Sequence, residues 1–136
     1  MKTYYFIEPW SYIETHLDGG KVLSVRYDGS HVVMWGKSSG SDLEYELWRL
    51  ENNGCLRNKK YPNKCLGTGA QLHTEHDFLQ KSQKWTFEAG ILERESDNHV
   101  LNVIWAEGLL PVTDGAGVNI IFRDHTTSMY WTFVEP

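Results

Sequence analysis

Apolar residues occur along the chain in short runs, separated by clusters of Gly, Asn, Asp and Ser. Runs of this kind, rich in Val, Ile, Leu and aromatic residues, predict β-strands, and the polar clusters predict turns. The turn clusters are Asp18-Gly19-Gly20, Asp28-Gly29-Ser30, Asn52-Asn53-Gly54, Asp97-Asn98 and Asp114-Gly115. Many short strands at this spacing predict an all-β protein, built as a barrel or a sandwich.

Three sequence markers recur in the same order three times. The first begins at Lys21, Lys64 and His99, the second at Val33, Gln71 and Ile120, and the third ends at Trp48, Trp85 and Trp131. Such repetition indicates three copies of one unit, at about 5–50, 51–88 and 89–135. A shared core needs an apolar residue at equivalent positions. We therefore predict burial of Leu23, Leu66 and Leu101, of Met34, Leu72 and Ile121, and of the three closing tryptophans.

One segment carries two patterns at once. Residues 41–44 fit a helix-capping box, and Leu43, Leu47 and Leu50 lie at helical spacing. The same segment also alternates apolar and polar positions as a strand does, and its Trp48 belongs to the repeat. We predict a strand from about 46 to 50, preceded by a loop that can hold a helical turn.

Composition narrows the function classes. The 136 residues suit one globular domain, and 13 Lys and Arg against 18 Asp and Glu give a formal net charge of −5. This balance disfavours nucleic acid as a partner, although Lys59 and Lys60 leave room for a local basic patch. No apolar run approaches the roughly 18 residues of a membrane-spanning helix, so we predict no membrane insertion. Glu8 and Pro9 interrupt the start of the chain too early for a secretory signal. We expect a cytoplasmic protein, or a secreted one whose signal has been removed.

Short matches to enzyme and metal-site motifs occur, but without the surrounding sequence that such sites need. Residues 36–40 match G-x-S-x-G, but a nucleophile elbow needs a strand-to-helix turn above a parallel sheet. Residues 36–38 resemble the end of a P-loop, whose first Gly is replaced by His31. His73 and His76 have His-x-x-His spacing without HExxH or a Cys/His cluster. We predict no enzyme activity, no metal and no cofactor.

The two cysteines, Cys55 and Cys65, flank a segment that predicts a hairpin loop. A hairpin would bring them together, so a disulfide would form in a secreted protein. Without a secretory signal, reduced thiols are the expected state.

The threefold pattern resembles that of the ricin-B-like (R-type) lectins, which are β-trefoils. In that family each unit reads roughly G-K-x-L-D-V, then V-x-L-W, then N-Q-x-W. The nearest matches here are Gly20 to Val25, Val32 to Trp35, and Ser82 to Trp85. The resemblance covers nearly the whole chain and implies a β-trefoil with three repeats around a pseudo-threefold axis. It also implies a sugar site in each repeat, made of an Asp, an aromatic face for the ring and a polar pair for the hydroxyls.

The chain departs from this implied site in every repeat. The Asp position holds Ser24, Gly67 and Asn102, and the aromatic position holds Trp35, His73 and Phe122. The third repeat is our first choice of site, followed by the first repeat and then by the second, whose loop is short. The candidate residues are Asn102, Phe122, Asp124 and His125 in the third repeat, Trp35 and Asp28 in the first, and Gln71, His73 and Gln83 in the second.

These observations predict a non-enzymatic lectin that binds glycans or glycoconjugates through shallow sites. A homodimer would add avidity to sites that are individually weak. The alternative is a trefoil that binds proteins through its loops, as a protease inhibitor or a toxin accessory subunit would.

Overall fold

The structure is a computed structural model that describes residues 10–26, 28–74, 80–105 and 110–136. Within these ranges the chain forms short strands, and every described pairing between them is antiparallel. The strands are β1 Tyr12–Thr15, β2 Val22–Ser24, β3 Val33–Trp35, β4 Trp48–Leu50, β5 Leu56–Asn58, β6 Lys64–Gly67, β7 Gln71–Thr74, β8 Trp85–Glu88, β9 Ile91–Arg94, β10 Val100–Val103, β11 Val118–Ile121 and β12 Trp131–Val134. The all-β prediction is confirmed.

The strands follow one plan three times. In each group of four, the two middle strands form a hairpin: β2–β3, β6–β7 and β10–β11. The outer strands pair with strands of neighbouring groups, as β4 does with β5 and β8 with β9. The last strand, β12, pairs with the first, β1, which joins the two ends of the described chain. This arrangement is the predicted β-trefoil.

The three closing tryptophans form equivalent parts of the core. Trp48, Trp85 and Trp131 are all buried, and each indole N–H donates to a backbone carbonyl of a middle hairpin. The acceptors are Leu23 at 3.0 Å, Leu66 at 2.8 Å and Leu101 at 3.1 Å. A buried indole N–H needs such a partner, so each tryptophan ties one hairpin to the barrel. Burial of these tryptophans and leucines is confirmed.

The hairpin register corrects one predicted equivalence. Leu23 pairs with Met34, Leu66 with Leu72, and Leu101 with Ile120, one position earlier than the predicted Ile121. Met34 and Leu72 are buried as predicted, whereas Ile121 is half-buried and pairs with Val100. Because neighbouring positions of a strand face opposite sides, this shift also removes Phe122 from the position equivalent to Trp35. That position belongs to Ile121.

The segment that carries both a helical and a strand pattern forms both elements. Residues Gly40–Glu46 form a 3-10 helix, and β4 begins at Trp48. The predicted strand is confirmed, and the capping pattern corresponds to the short helix before it.

The cysteines are oxidised, contrary to the expected reduced thiols. Cys55 and Cys65 form a disulfide, with their Cα atoms 5.4 Å apart. Cys55 lies directly before β5 and Cys65 lies in β6. The packing of these two strands brings both cysteines into the core, where they are fully buried.

Candidate functional site

The middle hairpins place the three candidate sites. In each hairpin the residue at the family's Asp position lies directly opposite a residue of the next strand. Ser24 faces Val33, Gly67 faces Gln71, and Asn102 faces Asn119. The third repeat alone has a hydrogen-bonding side chain on both strands of this pair. Asn119 is not among the residues that the sequence predicts for the site, because the predicted register of this hairpin differs by one residue from the observed one.

The third repeat contains a continuous row of polar side chains. Asn102 is 6% exposed, and its amide donates to Oδ1 of Asn119 at 2.9 Å. The hydroxyl of Ser128 donates to Oδ1 of Asn102 at 2.7 Å and lies 2.9 Å from the Thr126 hydroxyl. Thr126 in turn donates to Oδ1 of Asp124 at 2.8 Å. The row therefore runs from a buried amide to an exposed carboxylate, and it joins two predicted site residues, Asn102 and Asp124.

The other two candidates of this repeat, Phe122 and His125, make no hydrogen bond to this row. Phe122 follows β11 and is 66% exposed, so it does not fill core. His125 lines a separate cavity of about 320 Å³. There its Nδ1 is 3.4 Å from the Tyr130 hydroxyl, and Arg123 forms an ion pair with Glu93 at 2.8 Å. The structure thus divides the predicted third-repeat residues into two groups.

The first repeat has an aromatic ring, but a cation covers it. The guanidinium carbon of Arg26 lies 4.8 Å from the centroid of the Trp35 ring, a cation–π distance. Arg26 also forms an ion pair with the fully buried Glu46, at 3.3 Å. Glu46 accepts the backbone N–H of Ser38 at 2.7 Å and its hydroxyl at 2.8 Å. The polar groups beside Trp35 are therefore bonded to one another.

Asp28 and Gln71 both contact Ser30, which lies in a turn of the first repeat. Oδ1 of Asp28 accepts the backbone N–H groups of Ser30 and His31, at 2.9 and 2.8 Å. Its Oδ2 lies 2.6 Å from Nδ1 of His31, and the Ser30 hydroxyl donates to Gln71 at 3.3 Å. The hydrogen bond from the His31 side chain, followed by the two backbone N–H groups, lowers the pKa of Asp28 to about 2. Asp28 thus stabilises the turn that leads into β3.

The second repeat has no space at the Asp position. A β-carbon added to Gly67 would lie 3.0 Å from Cγ of Gln83 and 3.1 Å from Cδ2 of His73. Gln83 is buried, and its amide lies 3.5 Å from the carbonyl oxygens of His73 and Thr74. His73 is bonded through Nε2 to the Thr68 carbonyl at 2.8 Å. These side chains fill the pocket that a ligand would need.

Two further features complete the description of possible sites. Across residues 10–26, 28–74, 80–105 and 110–136, no group of three His, Cys, Asp or Glu side chains is placed to hold a metal ion. His76, the partner of His73 in the spacing motif, lies outside the described residues. In those same ranges no helix is long and apolar enough to cross a membrane.

Comparisons with known proteins find matches by structure but none by sequence. No family model and no curated protein matches this sequence. Solved structures do match. The C-terminal half of an earthworm R-type lectin, solved with GalNAc, has a TM-score of 0.76 and 18% identity over 94% of this chain and 99% of its own.

Two other solved structures extend this similarity. The β-trefoil lectin of the Vibrio vulnificus hemolysin/cytolysin, solved with N-acetyl-D-lactosamine, has a TM-score of 0.70 and 18% identity over 93% of this chain and 94% of its own. The designed threefold-symmetric protein ThreeFoil has a TM-score of 0.71 and 21% identity over 93% and 99%. At such identities the likeness concerns the fold alone. The chain has the β-trefoil fold of the R-type, ricin-B-like lectins.

Proposed function

We propose that this protein is a non-enzymatic lectin and that its third repeat binds a glycan. The observation that carries the proposal is the polar row from Asn119 through Asn102, Ser128 and Thr126 to Asp124. Sugars present several hydroxyls, each both donor and acceptor, and such a row offers matching partners at successive positions. The R-type lectin that this chain resembles in fold was solved with GalNAc.

The row retains unused hydrogen-bonding capacity. Asn119 uses its Oδ1 as an acceptor, and its Nδ2 has no partner among the described residues. Asp124 uses Oδ1 toward Thr126, while Oδ2 has no partner among them. A donor and a carboxylate acceptor at the two ends of the row can each bind a ring hydroxyl. The exposed ring of Phe122 is the apolar surface that we assign to the C–H face of the sugar.

The experiment is a glycan array followed by measurements with three single variants. The wild-type protein is first tested for a defined terminal sugar, and binding of that sugar is then measured for Asn119→Ala, Phe122→Ala and Trp35→Ala. We expect about tenfold weaker binding for Asn119→Ala, since a lost hydrogen bond is worth about 1 kcal/mol or more. Phe122→Ala should weaken binding, and Trp35→Ala should not.

Thermal melting of each variant checks that it still unfolds cooperatively. Loss of binding in Trp35→Ala alone would move the site to the first repeat. A silent array together with inhibition of a protease would favour the alternative, a trefoil that binds proteins through its loops.

A further inference from the structure

The positive charge of this acidic chain is locally concentrated. Residues 52–74 contain no Asp or Glu, although the chain has 18 acidic residues in total. Arg57 lies in β5, Lys59 and Lys60 lie in the segment that joins β5 to β6, and Lys64 is the first residue of β6. We call residues 57–64 the basic loop.

The basic loop is held in one conformation by its base. The Cys55–Cys65 disulfide closes it just outside its two ends. Inside, Arg57 donates to the Pro62 carbonyl, and the fully buried Asn58 accepts the backbone N–H of Lys60 at 3.0 Å. Asn58 also donates to the Tyr45 carbonyl at 3.0 Å, which fixes the loop to the neighbouring 3-10 helix. A loop fixed in this way loses little conformational entropy when it binds a partner.

The lysines lie beside aromatic rings instead of carboxylates. The Lys60 ammonium is 5.3 Å from the Tyr45 ring centroid, and the Lys64 ammonium is 5.7 Å from that of Tyr61. The two tyrosine rings are 6.3 Å apart. Lys59 lies 6.0 Å from the ring of Trp10. Each of these three lysines therefore lies beside a half-buried aromatic ring.

Among residues 10–26, 28–74, 80–105 and 110–136, no carboxylate neutralises the charge of these lysines. Arg49 and Arg57 both form ion pairs with Glu51, at 2.7 Å, and so their charges are partly compensated. For Lys59, Lys60 and Lys64, no carboxylate of the described residues lies within ion-pair distance. Three ammonium groups remain available to an anionic partner.

We infer that the basic loop, with Tyr45 and Tyr61, is a second binding surface, whose partner is a sulfated glycan chain. Sulfate groups along such a chain pair with the ammonium groups, and the sugar rings between them contact the exposed parts of the two half-buried tyrosines. The surface offers both the cations and the aromatic groups that such a ligand requires.

Other polyanions fit the surface less well. A membrane-binding loop carries apolar side chains that enter the lipid, but the turn of this loop consists of Pro62 and Asn63. The large exposed apolar side chains of the described residues, Ile104, Leu110 and Phe122, belong to the third repeat. Duplex nucleic acid would extend past the loop onto a surface with a net negative charge, which repels it.

The test uses heparin and desulfated heparin as probes. We expect the wild-type protein to bind heparin, with an affinity that falls steeply with salt, and to bind the desulfated chain much more weakly. The variant Lys59→Gln/Lys60→Gln/Lys64→Gln should bind heparin at least about tenfold more weakly and with a smaller salt dependence. A matched control, Lys37→Gln/Lys81→Gln/Lys84→Gln, removes the same charge elsewhere and should change the affinity by less than about threefold.

A second variant separates the sugar ring contact from charge alone. Tyr61→Leu should weaken binding to heparin and leave binding to inorganic polyphosphate unchanged, because polyphosphate has no ring to contact. Thermal melting again checks folding.

Four outcomes would overturn the inference. They are no heparin binding at low salt, equal weakening in both triple variants, an equal effect of Tyr61→Leu on both probes, and stronger binding to phosphatidylserine vesicles or duplex DNA than to heparin. The Asn119→Ala variant should still bind heparin, and the Lys59→Gln/Lys60→Gln/Lys64→Gln variant should still bind the array sugar. Failure of this surface is therefore distinguishable from failure of the third-repeat site.

Discussion

At the scale of the residue, the polar side chains predicted for the sites differ in how many of their hydrogen-bonding atoms already have a partner within the protein. Both oxygens of Asp28 are engaged in its own turn, whereas Asp124 uses one oxygen and exposes the side chain. The sequence shows an Asp beside a turn in either case. The path of the backbone decides which N–H groups each carboxylate can reach. The sequence alone therefore does not distinguish an Asp that stabilises its own turn from one that is available to a ligand.

The low pKa of Asp28 gives a pH prediction. Its folded-state pKa of about 2 lies below the unfolded value of roughly 3.9. The ionised carboxylate therefore stabilises the fold above about pH 4, and this contribution is lost as the pH falls toward 2. Asp28→Asn keeps an acceptor oxygen but cannot titrate. We expect the melting temperature of the wild type to fall more steeply than that of the variant between pH 4 and pH 2.

Calorimetric melts from pH 2 to pH 6 would measure this difference. Asp18→Asn is the matched control, because Asp18 is exposed and its side chain makes no hydrogen bond within the described residues. Parallel curves for the wild type and Asp28→Asn would contradict the prediction.

At the scale of the element, the spacing of residues along the sequence predicts which segments lie close together. It does not predict the register of the β10–β11 hairpin or the oxidation state of the cysteines. Repeated leucines and tryptophans located all three hairpins, because a core position tolerates only apolar side chains. The register of β10–β11 was missed, since Ile120 and Ile121 are both apolar and either can face the core. The pairing of Asn102 with Asn119 fixes it. Similarly, the sequence separation of 10 between Cys55 and Cys65 indicates a hairpin, but not a disulfide.

The disulfide should contribute measurably to stability. It closes a short chain segment, with a sequence separation of 10, and constrains the unfolded state. We expect Cys55→Ala/Cys65→Ala to lower the free energy of unfolding by about 2–3 kcal/mol. Urea denaturation of the wild type and the variant measures this change. A reductant should destabilise the wild type and leave the variant unaffected; destabilisation of both would show that the effect does not come from the disulfide.

At the scale of the whole molecule, three similar repeats do not give three equivalent sites. The second repeat is filled, the first is covered by Arg26, and the third presents its polar row. The fold follows from positions that are alike in all repeats, and so the sequence predicts it well. The sites depend on positions that differ between the repeats. How the side chains at these positions fill space depends on contacts between segments that are distant in the sequence, so the sequence predicts the sites less well.

The proposed single site in the third repeat implies monovalent sugar binding. Shallow sugar sites compete with water for each hydroxyl, so we expect a dissociation constant roughly in the micromolar to millimolar range. With a single site in a monomer, the apparent affinity for a sugar-coated surface should not depend on coating density. Binding at two coating densities tests this. An affinity that rises with density would indicate a dimer or a second working repeat.

The packing at Gly67 bears on whether a sugar site could be built in the second repeat. The β-carbon of an Asp there would lie 3.0 Å from Cγ of Gln83 and 3.1 Å from Cδ2 of His73, closer than side-chain carbons normally approach. Both neighbours would have to shift by a few tenths of an ångström before the carboxylate could contribute to sugar recognition. Gln83 is buried and contacts the backbone of β7, so its room to shift is small. A chain with three working repeats is therefore more than one substitution away from this one.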